Sequence, residues 1–159
     1  MENTDSISFM REAIQLALDN VTQNNGGPFG AIVVKNGEIV GRGYNQVTAI
    51  NDPTAHAEVM AIRDACHNLQ TFQLDGCVLY TSCEPCPMCL GAIYWARPDK
   101  LYYGCTKDDA AAIAFDDAFI YEELKVPLSE RKIPMLPLSR EEALVAFQLW
   151  EKNTKKISY

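Results

Sequence analysis

With 159 residues, the chain is long enough for one domain that buries roughly 70% of the surface its unfolded form exposes. Its 21 acidic against 14 basic side chains leave a formal charge of −7, which counts against a tRNA or DNA binder and favours a small-molecule partner, because nucleic acid is gripped mainly by neutralising phosphates. No apolar run approaches the ~20 residues that span a bilayer, and Met1 to Ser8 lacks the basic start and apolar stretch of a secretory signal; no membrane partner and a cytoplasmic location are expected.

Phe9, Ala13, Leu16 and Ala17, with Val21 as a candidate last member, recur at helical spacing and predict an amphipathic helix from about Ser6 to Gln23. Asn24-Asn25-Gly26-Gly27-Pro28 stops it. Ala31 to Val34 is a β-branched apolar run, Asn36-Gly37 a hairpin turn, and Glu38 to Tyr44 the returning strand. Asp52-Pro53-Thr54 precedes a helix from about His56 to Asn68. Val78 to Thr81 reads as a short buried strand, Cys86 to Ala96 as a helix opened by Pro85, and Leu101 to Gly104 as a fourth strand. Asp109 to Phe115 is alanine-rich and helical. Ile133 to Leu136, flanked by prolines, suits a fifth strand at a sheet edge. Arg140 to Lys152 is a closing helix, followed by a tail.

Strands alternating with helices predict an α/β fold with a central sheet covered on both faces. The hairpin makes the first two strands antiparallel. The long helical connection allows the fourth and fifth to run parallel. No repeat or linker divides the chain, so residues 1–159 are expected to form one domain with a tail at about 153–159.

The chemistry concentrates in His56-Ala57-Glu58 and Pro85-Cys86-Pro87-Met88-Cys89. One imidazole and two thiolates are a zinc ligand set that leaves the fourth position open, and a carboxylate beside them can move protons. Cys86 and Cys89, three apart at a helix start, share one face, and a helix N-terminus favours thiolate. Glu58 lies two positions after His56. Residues so spaced diverge inside a helix, so His56 must sit in the first turn. The remaining cysteines, Cys66, Cys77 and Cys105, read as buried small hydrophobes in a reducing compartment, not as a disulfide framework. His67 reads as structural.

Another reading stands beside the catalytic one. Cys83, Cys86, Cys89 and His56 could close a Cys3His structural site, with Glu58 on the helix surface. The domain would then be a zinc-stabilised binding module. Against this, Cys83 ends a strand, and Glu84-Pro85 turns the chain before Cys86.

At these residues the chain resembles the cytidine-deaminase-like superfamily, in which H-x-E with P-C-x-x-C marks zinc nucleobase deaminases. Pro53-Thr54-Ala55-His56-Ala57-Glu58, Thr81 to Cys89, Gly27-Pro28-Phe29-Gly30-Ala31 and Gly43-Tyr44-Asn45 carry the likeness. Cys89-Leu90-Gly91-Ala92-Ile93-Tyr94-Trp95-Ala96-Arg97-Pro98, Phe115-Asp116-Asp117, Phe119-Ile120-Tyr121 and Lys155-Lys156-Ile157-Ser158-Tyr159 are similar to its bacterial guanine-deaminase branch. The resemblance implies a three-layer α/β/α fold with a mixed five-stranded sheet, and one Zn2+ per subunit held by His56, Cys86 and Cys89. Glu58 becomes the proton shuttle in hydrolysis of guanine to xanthine and ammonia, within purine salvage or breakdown. It further implies a homodimer that can exchange C-terminal segments. Asn45, Phe29, Ala57, Asp117 and Tyr159 become substrate contacts. Each keeps an ordinary alternative: a turn residue for Asn45, a core ring for Phe29, a solvated acid for Asp117 with Asp116 competing, a frayed end for Tyr159. Tyr94 and Trp95 fit core or dimer contacts better than substrate contacts. A tRNA adenosine deaminase, or an enzyme for cytosine, pterins or nucleosides, shares the same core motif.

Overall fold

A computed structural model describes residues 4–159. The chain divides into two compact units, Met1–Asp117 and Ala118–Tyr159.

The first unit opens with α1 (Thr4–Thr22) and a hairpin, β1 (Gly30–Lys35) and β2 (Glu38–Tyr44). Asn36 and Gly37 both have positive φ, 52° and 82°, as a two-residue turn matching the strand twist requires. A bulge between Val33 and Val34 shifts the register from Val33↔Gly41 to Val34↔Ile39. The short α2 (Val47–Ile50) leads to α3 (Ala57–Leu69), β3 (Cys77–Cys83), α4 (Pro87–Ala96), β4 (Lys100–Cys105) and α5 (Lys107–Ala112).

Four strands form one mixed sheet in the order β2-β1-β3-β4. β1 is antiparallel to both neighbours, and β3 runs parallel to β4 across the α4 connection. Strand alternation sends Ala31, Val33 and Leu79 into one core with α3 and α4, and Ile32, Val34 and Tyr80 into another with α1. The unit therefore has the expected helix–sheet–helix layering. The start of β1 and the ends of β2, β3 and β4 lie at the same edge of the sheet, where ligands bind in open α/β folds.

The β2–α3 contact is unusually close. Gly41 and Gly43 face Ala57, Ala61 and Ala65: a Cβ on Gly41 would lie 2.6 Å from Ala61 O, and one on Gly43 would strike Ala57 O and Ala61 N. Small residues on both sides let helix and strand backbones touch.

Four expectations need correction. Cys105, at the end of β4, is exposed rather than buried. The fifth strand does not form: Ile133 lies in a bend, residues 134–136 are irregular, and Ile133 and Leu136 are exposed. Pro134 and Pro137 supply no N–H for a ladder. The stripe on α1 ends on Asn20, which is buried, while Val21 is exposed. The helix expected from Asp109 starts at Lys107, because Thr106 caps it; its Oγ1 accepts from Asp109 N–H (3.3 Å), and Asp109 Oδ2 accepts from Thr106 N–H (2.8 Å).

The second unit holds α6 (Ala118–Lys125), a 3-10 turn at Leu128–Glu130 and α7 (Arg140–Lys152). Among the described residues no helix is long and apolar enough to cross a membrane.

Candidate active site

His56 is the residue before the first turn of α3, with extended backbone (φ −73°, ψ 156°). Its side chain is therefore free of the helical phase that governs Glu58, and the divergence expected of positions two apart does not arise. Cys86 plays the same part for α4 (φ −66°, ψ 168°), with Pro87 opening the helix and Cys89 in its first turn. Neither His56 nor Cys86 caps its helix with a side-chain hydrogen bond. Both side chains turn toward one another instead.

His56 Nδ1 lies 3.6 Å from Cys86 Sγ and 3.5 Å from Cys89 Sγ, and the three ligand atoms lie within 4.8 Å of one another. Tetrahedral zinc with bonds of ~2.0 Å to nitrogen and ~2.3 Å to sulfur separates those atoms by about 3.5 Å. The donor set thus fits zinc in both chemistry and spacing. Cys83 takes no part: its Sγ lies 3.5 Å from the Thr106 carbonyl, and burial pushes its thiol up to about 11. The closed Cys3His arrangement is not the one formed. Cys86 is held far down, to about 4, by a hydrogen bond from the Cys89 thiol, against the cost of burial and with help from His56. His56 is raised mainly by its hydrogen bond with Cys86.

Glu58 is buried, with 5% of its surface exposed. Its Oε1 accepts a 3.0 Å hydrogen bond from the Thr81 hydroxyl on β3. Burial pushes its carboxyl above the ordinary range.

Around this centre the sheet edge gathers further groups. Asn45, 7% exposed, follows β2. Its Oδ1 accepts from Val47 N–H (3.3 Å) and Gly27 N–H (3.5 Å), which leaves the Nδ2 end as donor. Phe29 precedes β1 and meets Phe115 edge to face, centroids 5.0 Å apart. Partial burial raises the Asp117 carboxyl, and the Cys86 charge adds to the effect. Ala57 is fully buried at the first position of α3. Tyr159 ends the second unit. His67 lies in the last turn of α3, outside the metal group.

Residues 3–105 match the family described as the cytidine and deoxycytidylate deaminase zinc-binding region. The chain belongs to that family. It is 53% identical over 152 residues to the guanine deaminase of Bacillus subtilis (strain 168), spanning 96% of this chain and 97% of that protein. An X-ray structure of guanine deaminase from Bacillus subtilis superposes with a TM-score of 0.93 at 53% identity, over 96% of this chain and 97% of the other. A tRNA-specific adenosine deaminase of Aquifex aeolicus (strain VF5) is 49% identical over 76 residues, 48% of this chain and 50% of its own.

Within this deaminase fold, the sequence reading missed three contributors. Thr81 stands in a predicted strand and at the start of the Thr81 to Cys89 likeness, and nothing local announces that its hydroxyl meets a helix residue. Phe115 closes on Phe29 from a segment far along the chain. Asn20 did leave a trace: it stands where the Phe9-Ala13-Leu16-Ala17 stripe should continue with an apolar residue.

Proposed function

We propose that this chain is a zinc-dependent guanine deaminase, hydrolysing guanine to xanthine and ammonia in purine salvage or breakdown. The observation that carries the reading is the group of His56 Nδ1 and two sulfurs beside the buried Glu58, in a chain alike over nearly its whole length to a guanine deaminase.

His56, Cys86 and Cys89 would hold one zinc ion per subunit. When bound there, zinc lowers the pKa of a coordinated water toward ~7, making a nucleophile available at neutral pH. Glu58 accepts the water proton, passes it to the ring nitrogen beside the attacked carbon, and carries a second proton to the departing amino group, which leaves as ammonia. Thr81 holds one carboxylate oxygen of Glu58, so the other is the one that moves protons. Asn45 donates to an acceptor on the base through Nδ2. Asp117 accepts from a ring N–H of guanine. Phe29 packs on the purine face, and the Ala57 N–H, at a helix start, is offered to a carbonyl of the base.

The active form is a homodimer in the cytoplasm. Tyr94 and Trp95, 75% and 63% exposed on α4, supply aromatic area of the kind interfaces use. The tail ending in Tyr159 closes a pocket, its own or, by exchange of C-terminal segments, a partner's. Six free thiols suit a reducing compartment.

The test is ammonia release from zinc-loaded protein across free bases, nucleosides and tRNA. Guanine should be the preferred substrate. Turnover of adenosine in tRNA with none of guanine would replace this reading by the tRNA-editing one, which the −7 charge opposes.

A further inference from the structure

Asn20 is the outlier in the layer behind the sheet. It is 2% exposed on the packed stripe of α1. Its Nδ2 donates to Gly27 O (2.8 Å) and to Asn45 O (2.9 Å). Two carbonyl acceptors fix the amide orientation, since the flipped form would set oxygen against oxygen. Its Oδ1 has no hydrogen-bond partner among the described residues, so the site keeps an amide for its two donors despite a buried unpaired acceptor.

The two carbonyls belong to different loops. Gly27 lies two residues before Phe29, and Asn45 follows β2. The loops are stitched again by Asn45 N–H to Phe29 O (3.1 Å) and Gly27 N–H to Asn45 Oδ1 (3.5 Å). Gly26 presses against the same point: a Cβ there would strike Asn45 O and lie 3.2 Å from Asn20 Nδ2.

We infer that Asn20 is a positioning residue for the base pocket: through its two donated hydrogen bonds it sets the placement of Asn45 and Phe29, and so governs binding of the base rather than the chemical step. The inference rests on the deaminase reading above.

The experiment measures kcat and KM for whichever base the zinc-loaded wild-type enzyme turns over best, so a wrong substrate assignment shows in the wild type and leaves the Asn20 test intact. Asn20→Ala should raise KM about tenfold with kcat within about threefold. Because Asn20 acts in part through Asn45, the Asn20→Ala/Asn45→Ala double variant should raise KM by less than the product of the two single effects. Asn20→Ser, which keeps one donor, should fall between wild type and Asn20→Ala, and it serves if the alanine variant does not fold. An unchanged KM at full zinc content, or KM effects that multiply in the double variant, would overturn the inference.

Discussion

The Thr81 hydroxyl sits 3.0 Å from Glu58 Oε1, and both side chains are buried, 1% and 5% exposed. A hydrogen bond to a buried carboxylate is worth about 1.5–3 kcal/mol. Thr81→Val keeps the volume and removes the donor. Turnover should fall about tenfold or more with zinc content unchanged, and Thr81→Ser should restore most of it. A valine variant as fast as wild type would show that Glu58 needs no such hold.

Removing the carboxylate charge separates chemistry from folding. Glu58→Gln should lower kcat by about 100-fold or more. Melting temperature should hold or rise, since a buried charge is costly. Cys86→Ala should instead lose metal and activity together. Zinc analysis by atomic absorption alongside ammonia release checks both.

Stripping the metal with a chelator should expose Cys86 and Cys89 to alkylation. Cys86 is the thiol held down by its neighbours, so it should be labelled first. Peptide mapping after alkylation, with and without zinc, reads this directly. Equal labelling in both states would mean the two sulfurs do not serve as ligands.

Asp109 gives an acid-sensitive cap. Its carboxyl lies below the ordinary value of 3.8 because the backbone N–H and hydroxyl of Thr106 donate to it. A carboxyl lowered on folding adds stability that is complete above its unfolded value and is lost as pH falls through the folded one. The melting-temperature gap between wild type and Asp109→Asn should therefore be steady near neutral pH and close below 3.8.

Gly43→Ala sets a methyl group against the Ala57 carbonyl and Ala61 nitrogen. The start of α3 must then shift, at a cost of about 1–3 kcal/mol. Zinc affinity should fall with stability, because His56 enters that same turn. Calorimetric zinc titration is the measurement, and undiminished affinity would sever the link.

The candidate zinc ligands were legible because their chemistry is local. Cys86 and Cys89 share one helix start, and Asp52-Pro53 and Pro85 mark both starts in the chain itself. The hairpin was legible because Asn36-Gly37 fixes its own turn. The missing fifth strand shows the opposite case: Ile133 to Leu136 has the residue types of an edge strand, but pairing needs backbone donors that Pro134 and Pro137 remove. Asn20 and Thr81 act across 25 and 23 positions of sequence. Their roles follow from the topology that brings strand ends together, which no local pattern encodes.

The glycine–alanine seam between β2 and α3 has a practical meaning for redesign. A leucine-rich layer can absorb an altered neighbour by swinging a side chain, whereas touching main chains have nothing to swing. If the chain acts as proposed, attempts to alter which base is accepted are therefore better spent on Phe29 or Asp117 than on β2. That strand works as a fixed datum from which the rest of the pocket is measured.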